Sequence, residues 1–452
     1  MLSVWEELVS SDVAESSAPA SAGDEELETK SWYKHYTLIV LGLVYASSFM
    51  DRQITAILID DLKAEFALSD TQLGLLSGLA FALFYATLGI PIARLADRSN
   101  RVKIISVSIA IWGFMTVISG AAQNFLQLLL ARVGVGVGEA GSSPPSHSII
   151  SDYYSPTARS LALSIWSLGA VVGAMIGLIG GGYITENFGW RWAYFVAGAQ
   201  SLIVVPIVYF TVREPKRGQQ EKVAPQTETE KKKDAGEATS TFAIIGELLR
   251  NRNYTYATFS HVMAGFFTFG LGAWMPAYFM REFELSPTEV GALVSVMLLF
   301  GSVTGMLAGG WLATHLAKRD IAWEAWVPAV ALGLAAPAFA LALTTNVLVL
   351  SAIGMGAAQF LVMAHHGPGL ALVQSAVPAN RRAMAAALMY FCSNMLGLGL
   401  GPLIIGFISD LGLAGSIGGN LRVGLSIAIL PLAVGALGYW RLGYRWRARP
   451  ST

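Results

Sequence analysis

The chain has 452 residues, of which 54% are hydrophobic and 13% charged, and its 30 basic and 30 acidic side chains balance to zero. An ordinary soluble domain carries about 25% charged residues, so this composition excludes a water-soluble fold and points to lipid as solvent. Neutral charge without a basic block gives no basis for nucleic-acid binding, and a lone Cys392 excludes an internal disulfide and a cysteine metal cluster.

Residues 1–34 are polar and acidic, with Asp24, Glu25, Glu26 and Glu28, and lack the basic start and apolar core of a signal peptide. They are expected to form a disordered cytosolic tail. Beyond them, apolar stretches of about 20 residues, the length that crosses a bilayer, recur between charges and turn residues. They predict twelve spans, near 36–59, 70–96, 101–121, 124–151, 157–185, 191–212, 253–281, 287–317, 322–344, 346–376, 380–410 and 418–444. Of the 30 Lys and Arg, Lys63, Arg191, Arg281 and Arg422 fall on one side and Arg52 and Arg132 within spans, leaving 24 on the side of the termini. Such a positive-inside bias places both termini in the cytosol and Asp60, Asp61, Glu65, Glu186, Glu282 and Glu284 outside. Trp190, Trp192, Trp323 and Trp326 flank span ends and read as interfacial anchors. The one long break, 213–240, with Pro215, Pro225 and Lys231 to Lys233, reads as a flexible linker. Thr241 to Asn251 then suits a short amphipathic helix on the inner surface. The expected organisation is an N-terminal six-helix bundle over 35–212, a cytosolic linker over 213–252, a C-terminal bundle over 253–445 and a cytosolic tail over 446–452.

An internal repeat relates the two bundles. Leu68-Ser69-Asp70-Thr71-Gln72-Leu73-Gly74 is echoed by Leu285-Ser286-Pro287-Thr288-Glu289-Val290-Gly291 at an offset of 217. Each copy holds a Ser-x-x-Gln/Glu capping box, so spans 2 and 8 begin alike. Pro156-Thr157-Ala158-Arg159 is matched by Pro378-Ala379-Asn380-Arg381, and Gly177 by Gly399, both at 222, which pairs spans 5 and 11. Equivalent spans lie six apart, so the halves share one orientation and are related by an axis along the membrane normal. A substrate site is expected between them near midplane.

The stretch from Ala93 to Lys103, with Arg94, Asp97, Arg98 and Arg101, resembles the signature loop between spans 2 and 3 of the major facilitator superfamily. Ala93 and Asn100 stand where that family has glycines, and Asn tolerates the left-handed backbone of a tight turn. In the second half, Gly310 to Arg319 has Thr314 in place of the Asp. Arg132 to Ala140 is similar to the fourth-span motif, and Gly169, Gly173, Gly177 and Gly181 to the glycine-rich fifth span. Within the superfamily, Phe49 to Arg52, Arg132 with Gly138-Glu139-Ala140, and Asp97-Arg98 with Asn100-Arg101 resemble the spinster family of lysolipid and sphingolipid transporters; the short loops look bacterial. The resemblance implies a major facilitator fold of twelve helices in two pseudo-symmetric bundles. It also implies secondary transport by alternating access in an inner membrane, with lysolipid or sphingosine-1-phosphate-like substrates and proton coupling. Arg94, Asp97, Arg98, Arg101 and Arg159 would form a cytosolic gate.

Ionisable groups within spans cost about 2.5–3.5 kcal/mol on insertion scales and by default mark function. Asp51 and Arg52 are neighbours on span 1 and point about 100° apart, so each is expected to pair with another span. Arg132 and Glu139, seven residues apart, share a face of span 4 at roughly 10 Å of rise. One reading is a structural ion network clamping spans 1 and 4. The other makes Asp51 and Glu139 proton or conformational switches, because burial and a nearby cation bias protonation in opposite senses. Arg52 and Arg132, with Glu139, would then contact a substrate phosphate, the guanidinium fork matching its oxygens. His147, His365 and His366 are candidate proton relays. Phe266, Phe269 and Trp274 on span 7 are candidates for the wall of an acyl path, beside Phe267, Met263 and Met275.

Gly136-Val137-Gly138-Glu139-Ala140-Gly141 fits the dinucleotide fingerprint but lies in an apolar helix rather than a strand-turn-helix unit. No phosphate-binding loop of an ATPase is present in the sequence, no cofactor or metal site is expected, and an enzyme is disfavoured. The expected partners are a small amphipathic lipid, protons and membrane lipids, with the chain acting as a monomer. Alternatives are a carrier of a small organic anion and a non-transporting lipid sensor.

Overall fold

A computed structural model describes residues 24–96, 98–218, 241–378, 381–411 and 419–447, and these are helical almost throughout. The N-terminal half comprises α1 (Asp24–Ile57), a short α2 (Ile59–Phe66), α3 (Asp70–Ala96), α4 (Arg101–Ala121), α5 (Phe125–Glu139), α6 (Ser143–Tyr153), α7 (Pro156–Phe188) and α8 (Trp190–Thr211). The short α9 (Thr241–Arg250) leads into a second half of α10 (Arg252–Phe283), α11 (Pro287–Ala317), α12 (Trp323–Thr344), α13 (Leu348–Ser375), α14 (Met384–Asp410) and α15 (Asn420–Arg447). Ten helices among the described residues are long and apolar enough to cross a membrane. The segments predicted as spans 1 and 4 correspond to α1 and to the α5–α6 pair, consistent with twelve spans.

Local chemistry sets the helix ends. Ser69 and Ser286 each accept a hydrogen bond from the amide three residues on, while Gln72 and Glu289 reach back to the Ser amide, so both expected capping boxes form. Asn100 is not left-handed: it is extended at φ −69° and caps α4 by accepting from the Lys103 amide at 2.8 Å. The sequence supplied a good N-cap where a turn residue was expected. Gly189, at φ 88°, makes the turn between α7 and α8 that a side chain would strain.

Helix pairing repeats between the halves. α1 packs on α7 as α10 packs on α14, and α4 on α8 as α12 on α15. Two equivalent pairs join the halves, α3 with α14 and α11 with α7. Close approach requires glycine there: a Cβ on Gly74 would lie 2.4 Å from the Pro402 carbonyl oxygen, and one on Gly182 2.3 Å from that of Pro287. Both contacts lie at one end of the bundle, remote from the 213–218 segment and α9. This is the far end; the opposite one is the linker end. Of the expected tryptophan anchors, Trp192 is exposed but Trp190 and Trp326 are buried in packing against Phe66, Tyr194, Trp440 and Tyr444.

Of the predicted spans, 4, 10 and 12 are broken, the last at Ile427 and Ala428 within α15. Span 4 stops as α5 at Glu139 and restarts as α6 at Ser143, where Pro144 and Pro145 lack the amides a continuous helix would need. In the second half α13 is interrupted at His365, where one helical segment ends at Ala364 and the next begins at His366.

Candidate functional site

Asp51 and Arg52 leave α1 toward different partners, as their helical spacing requires. Asp51 is fully buried and accepts from Thr116 Oγ1 at 2.9 Å and from Arg132 at 3.0 Å. Arg52 donates to Glu139 Oε2 through Nε at 2.9 Å and Nη2 at 2.6 Å, and Ser48 Oγ donates to the same oxygen at 2.8 Å. Withdrawing an ion from water costs several kcal/mol even after relaxation, and these two crossed pairs with their hydroxyl donors offset it. The compensation is incomplete. Glu139 Oε1 and Arg132 Nε are buried without a hydrogen-bond partner, and such groups cost about 1–3 kcal/mol each.

The two arginines differ in access. Arg132 is 2% exposed, whereas Arg52 keeps 17%. The Arg52 guanidinium lies 4.6–4.9 Å from the ring centroids of Phe49, Phe81 and Tyr85, so three aromatic faces surround it. The aromatic surface continues along α1: Phe49 meets Tyr45 edge-on, Tyr45 stacks on Trp166 at 3.8 Å, and His147 abuts Trp166 at 4.5 Å. His147 is exposed at the linker-end part of this wall, apart from the ion pairs. The sequence reading missed Ser48, Thr116, Phe81 and Tyr85; only proximity in space marks them.

The span 7 aromatics do not form the expected acyl wall. Trp274 is fully buried and donates its indole N–H to the Pro402 carbonyl at 2.9 Å, fixing α10 to α14. Phe266 is also buried, and Phe269, half-buried, packs against the N-terminal core around Leu398. Burial leaves Trp274 no surface for a ligand in this conformation. His365 and His366 lie instead beside His261, in the second half, remote from the Asp51 and Glu139 cluster.

The far end is tied by charge. Arg281 on α10 donates to Asp60 at 2.7 Å and to Asp70 at 2.9 Å; Asp70 also accepts from Lys63 and Ser409, each at 2.6 Å. Asp410, at the end of α14, accepts from the Asp70 and Thr71 amides at 3.0 and 2.7 Å, anchoring its carboxylate on the N-terminus of α3. Glu186, near the end of α7, accepts from the Thr288 amide at 3.3 Å at the start of α11. Thr71 and Thr288 are equivalent in the repeat, so one device is used twice to close this end.

Comparison with known proteins places the chain. A family model described as Major Facilitator Superfamily matches residues 41–402. The chain belongs to this superfamily. An MFS-type efflux pump of Mycolicibacterium smegmatis is 30% identical over 90% of this chain and 92% of its own length. The sphingosine-1-phosphate transporter SPNS2 of Mus musculus is 28% identical over 82% of this chain and 69% of its own length. A crystal structure of a bacterial homologue of the human lysosomal transporter spinster, inward-facing and unoccupied, superimposes with a TM-score of 0.81 at 29% identity, covering 93% of this chain and 99% of that one. The protein is therefore an integral membrane transporter of the major facilitator superfamily, similar to spinster proteins, and not an enzyme.

In this major facilitator protein none of the described residues of the signature loop makes an ion pair or hydrogen bond to the second half. Arg101 is buried and binds Glu214, Ser148 and the Pro215 carbonyl at 2.6, 2.7 and 3.0 Å, and also Asp152, all in the N-terminal half or the start of the linker. Arg159 donates to the Ser151 carbonyl at 2.8 Å in the same half. Arg94 and Arg98 are exposed, with no ion pair among the described residues, and Asp97 lies outside those residues. Among the described residues, the charged contacts that join the halves lie at the far end. Arg101 acts here as a buried hub that pins the start of the 213–218 segment to the loop.

Proposed function

We propose that the protein carries an amphipathic anionic lipid, of lysophospholipid or sphingosine-1-phosphate type, by proton-coupled alternating access, and that Arg52 receives the headgroup. The observation that carries this reading is the Arg52 environment: a partly exposed guanidinium held on one oxygen of Glu139 and enclosed by Phe49, Phe81 and Tyr85. A phosphate competes for that guanidinium through bidentate contacts. Glu139, already carrying one unpartnered oxygen, is then left buried without its cation, and a proton neutralises it. Asp51 and Arg132 serve as the second half of the switch, coupling α1 to α5. The printed function of the SPNS2 relative supports the substrate class.

The same reading places the linker end and both termini in the cytosol of a bacterial inner membrane, from the excess of Lys and Arg on that side, with the chain working as a monomer. The signature loop engages as a gate only when the linker end closes. The efflux-pump relative favours export of a compound other than a lysolipid as a second reading. Uptake of labelled sphingosine-1-phosphate or lysophospholipid into proteoliposomes, with and without an imposed pH gradient, separates the two. Gradient-stimulated transport, lost in Arg52→Ala and uncoupled from the gradient in Glu139→Gln, is the expected result; folded protein that moves cationic amphiphiles but no lysolipid overturns it.

A further inference from the structure

The second half contains a polar cluster apart from the proposed Arg52 and Glu139 switch. His261 on α10 meets His365 and His366 at the interruption of α13, with ring centroids 5.1 and 5.5 Å apart. One ring nitrogen of each of the three lies within 4.8 Å of the others. His261 and His365 are 5% and 2% exposed, and Tyr439 on α15 is completely buried. Nevertheless His261 Nδ1, His365 Nε2 and Tyr439 Oη all lack a hydrogen-bond partner. Three orphaned polar atoms gathered in an apolar interior are anomalous, because buried polar atoms are nearly always satisfied.

Two further details point to a cation. His365 Nδ1 is hydrogen-bonded to the Val362 carbonyl, which assigns its proton to Nδ1 and leaves Nε2 a bare lone pair; metal-binding histidines are oriented in this way. Gly369 leaves open the space between Tyr439, His261 and the His365 ring, since an atom at its Cβ position would lie 2.5 Å from Tyr439 Oη, 3.1 Å from His261 Nδ1 and 3.4 Å from His365 Cδ2. We propose that His261, His365 and His366, with Tyr439 Oη as fourth donor, bind a first-row divalent transition-metal ion and so clamp α10, α13 and α15 together. Imidazole donors suit zinc, copper, nickel and cobalt ions rather than calcium or magnesium. Tetrahedral bonds of about 2.0–2.1 Å place nitrogens roughly 3.4 Å apart, so each ring moves inward by about 0.8 Å or less to close on the ion. His366 is half-buried and the adjacent Gly367 exposed, which provides an entry path.

The test is titration of the purified, tag-free full chain with Co²⁺, read from its visible ligand-field bands, followed by displacement with Zn²⁺. One Co²⁺ per chain with intense four-coordinate bands is expected, and Zn²⁺ raises the melting temperature. His261→Asn and His365→Asn weaken binding by at least about tenfold, Gly369→Ala weakens it by filling the space, and His315→Ala leaves it unchanged. Absence of the bands overturns the proposal, as does their survival in the His261 and His365 variants. Should those buried variants fail to fold, His366→Asn decides: unchanged Co²⁺ affinity in that folded variant overturns it. The readout is metal binding, so its failure is distinct from failure of the lipid reading.

Discussion

Arg281 is the residue through which the far end is held shut, and replacing it with Gln tests whether charge sets the resting conformation. Its guanidinium donates from the second half to Asp60 and Asp70 of the first, at 2.7 and 2.9 Å. Hydrogen bonds to charged groups contribute about 1.5–3 kcal/mol each. The Arg281 side chain is 22% exposed, so solvent screening brings the two together to about 2 kcal/mol, a shift of about 30-fold toward the far-end-open state. Asp70 keeps Lys63 and Ser409 as partners at 2.6 Å, so the variant folds. Spin labels at Glu65 and Asn420, in a Cys392→Ser background, report the separation across the junction. Arg281→Gln adds a longer-distance population and Arg281→Lys adds less. Distance distributions in Arg281→Gln that coincide with wild type would refute the reasoning and leave closure to the Asp410, Glu186 and glycine contacts.

Arg132→Met removes the cation from a fully buried Asp51, and breaking a buried pair in this way costs about 3–5 kcal/mol; thermal melts in detergent should show a large fall that Arg132→Met with Asp51→Asn largely restores. Gly173→Val drives a side chain into α1, since even a Cβ there would lie 1.9 Å from the Ala46 carbonyl oxygen; the expected outcome is loss of folded protein on size exclusion, whereas Gly180→Ala, which meets nothing within 4 Å, is tolerated. Asp61 lies in α2, outside the spans, and burial first, with the neighbouring Asp60 second, raises its carboxyl to about 6. A folded-state value above the unfolded 3.8 gives a contribution complete below about pH 4 and lost as pH rises through 6, so Asp61→Asn should raise the melting temperature at pH 7.5 and flatten its fall between pH 4 and 7.

The architecture was legible because it is written in periodic and repeated signals. Apolar runs gave the spans, and the Leu68 and Leu285 repeats gave the equivalence of α3 and α11 that the capping boxes at Ser69 and Ser286 realise. The ion pairs were half legible. That Asp51 and Arg52 need separate partners follows from helix geometry; that Glu139 takes Arg52 and Arg132 takes Asp51 depends on how α1 leans on α5, which no local pattern records. The roles of Arg281, Asp70 and Asp410 were hidden because charges at span ends read as solvated until packing brings two halves together. Trp274 misled because composition does not distinguish an aromatic that lines a cavity from one whose N–H is spent on a neighbouring backbone, here Pro402.

The two halves share a scaffold but place different chemistry at the same kind of position. Each has a helix interrupted toward its middle, at Glu139 in the first half and at His365 in the second. An interrupted helix exposes backbone polar groups that an apolar bundle does not satisfy, so side chains with polar ends gather there. In the first half these are fixed charges in crossed pairs, which under the proposed function exchange partners in response to an anion or a proton. In the second they are imidazoles and a phenol, the donor set of the proposed cation site. The far-end carboxylates, by contrast, act on α3 and α11 alike. Symmetric latches around asymmetric cores suit alternating access: closure engages both halves equally, whereas under the proposed function the signal that releases it originates in the half that binds the anion.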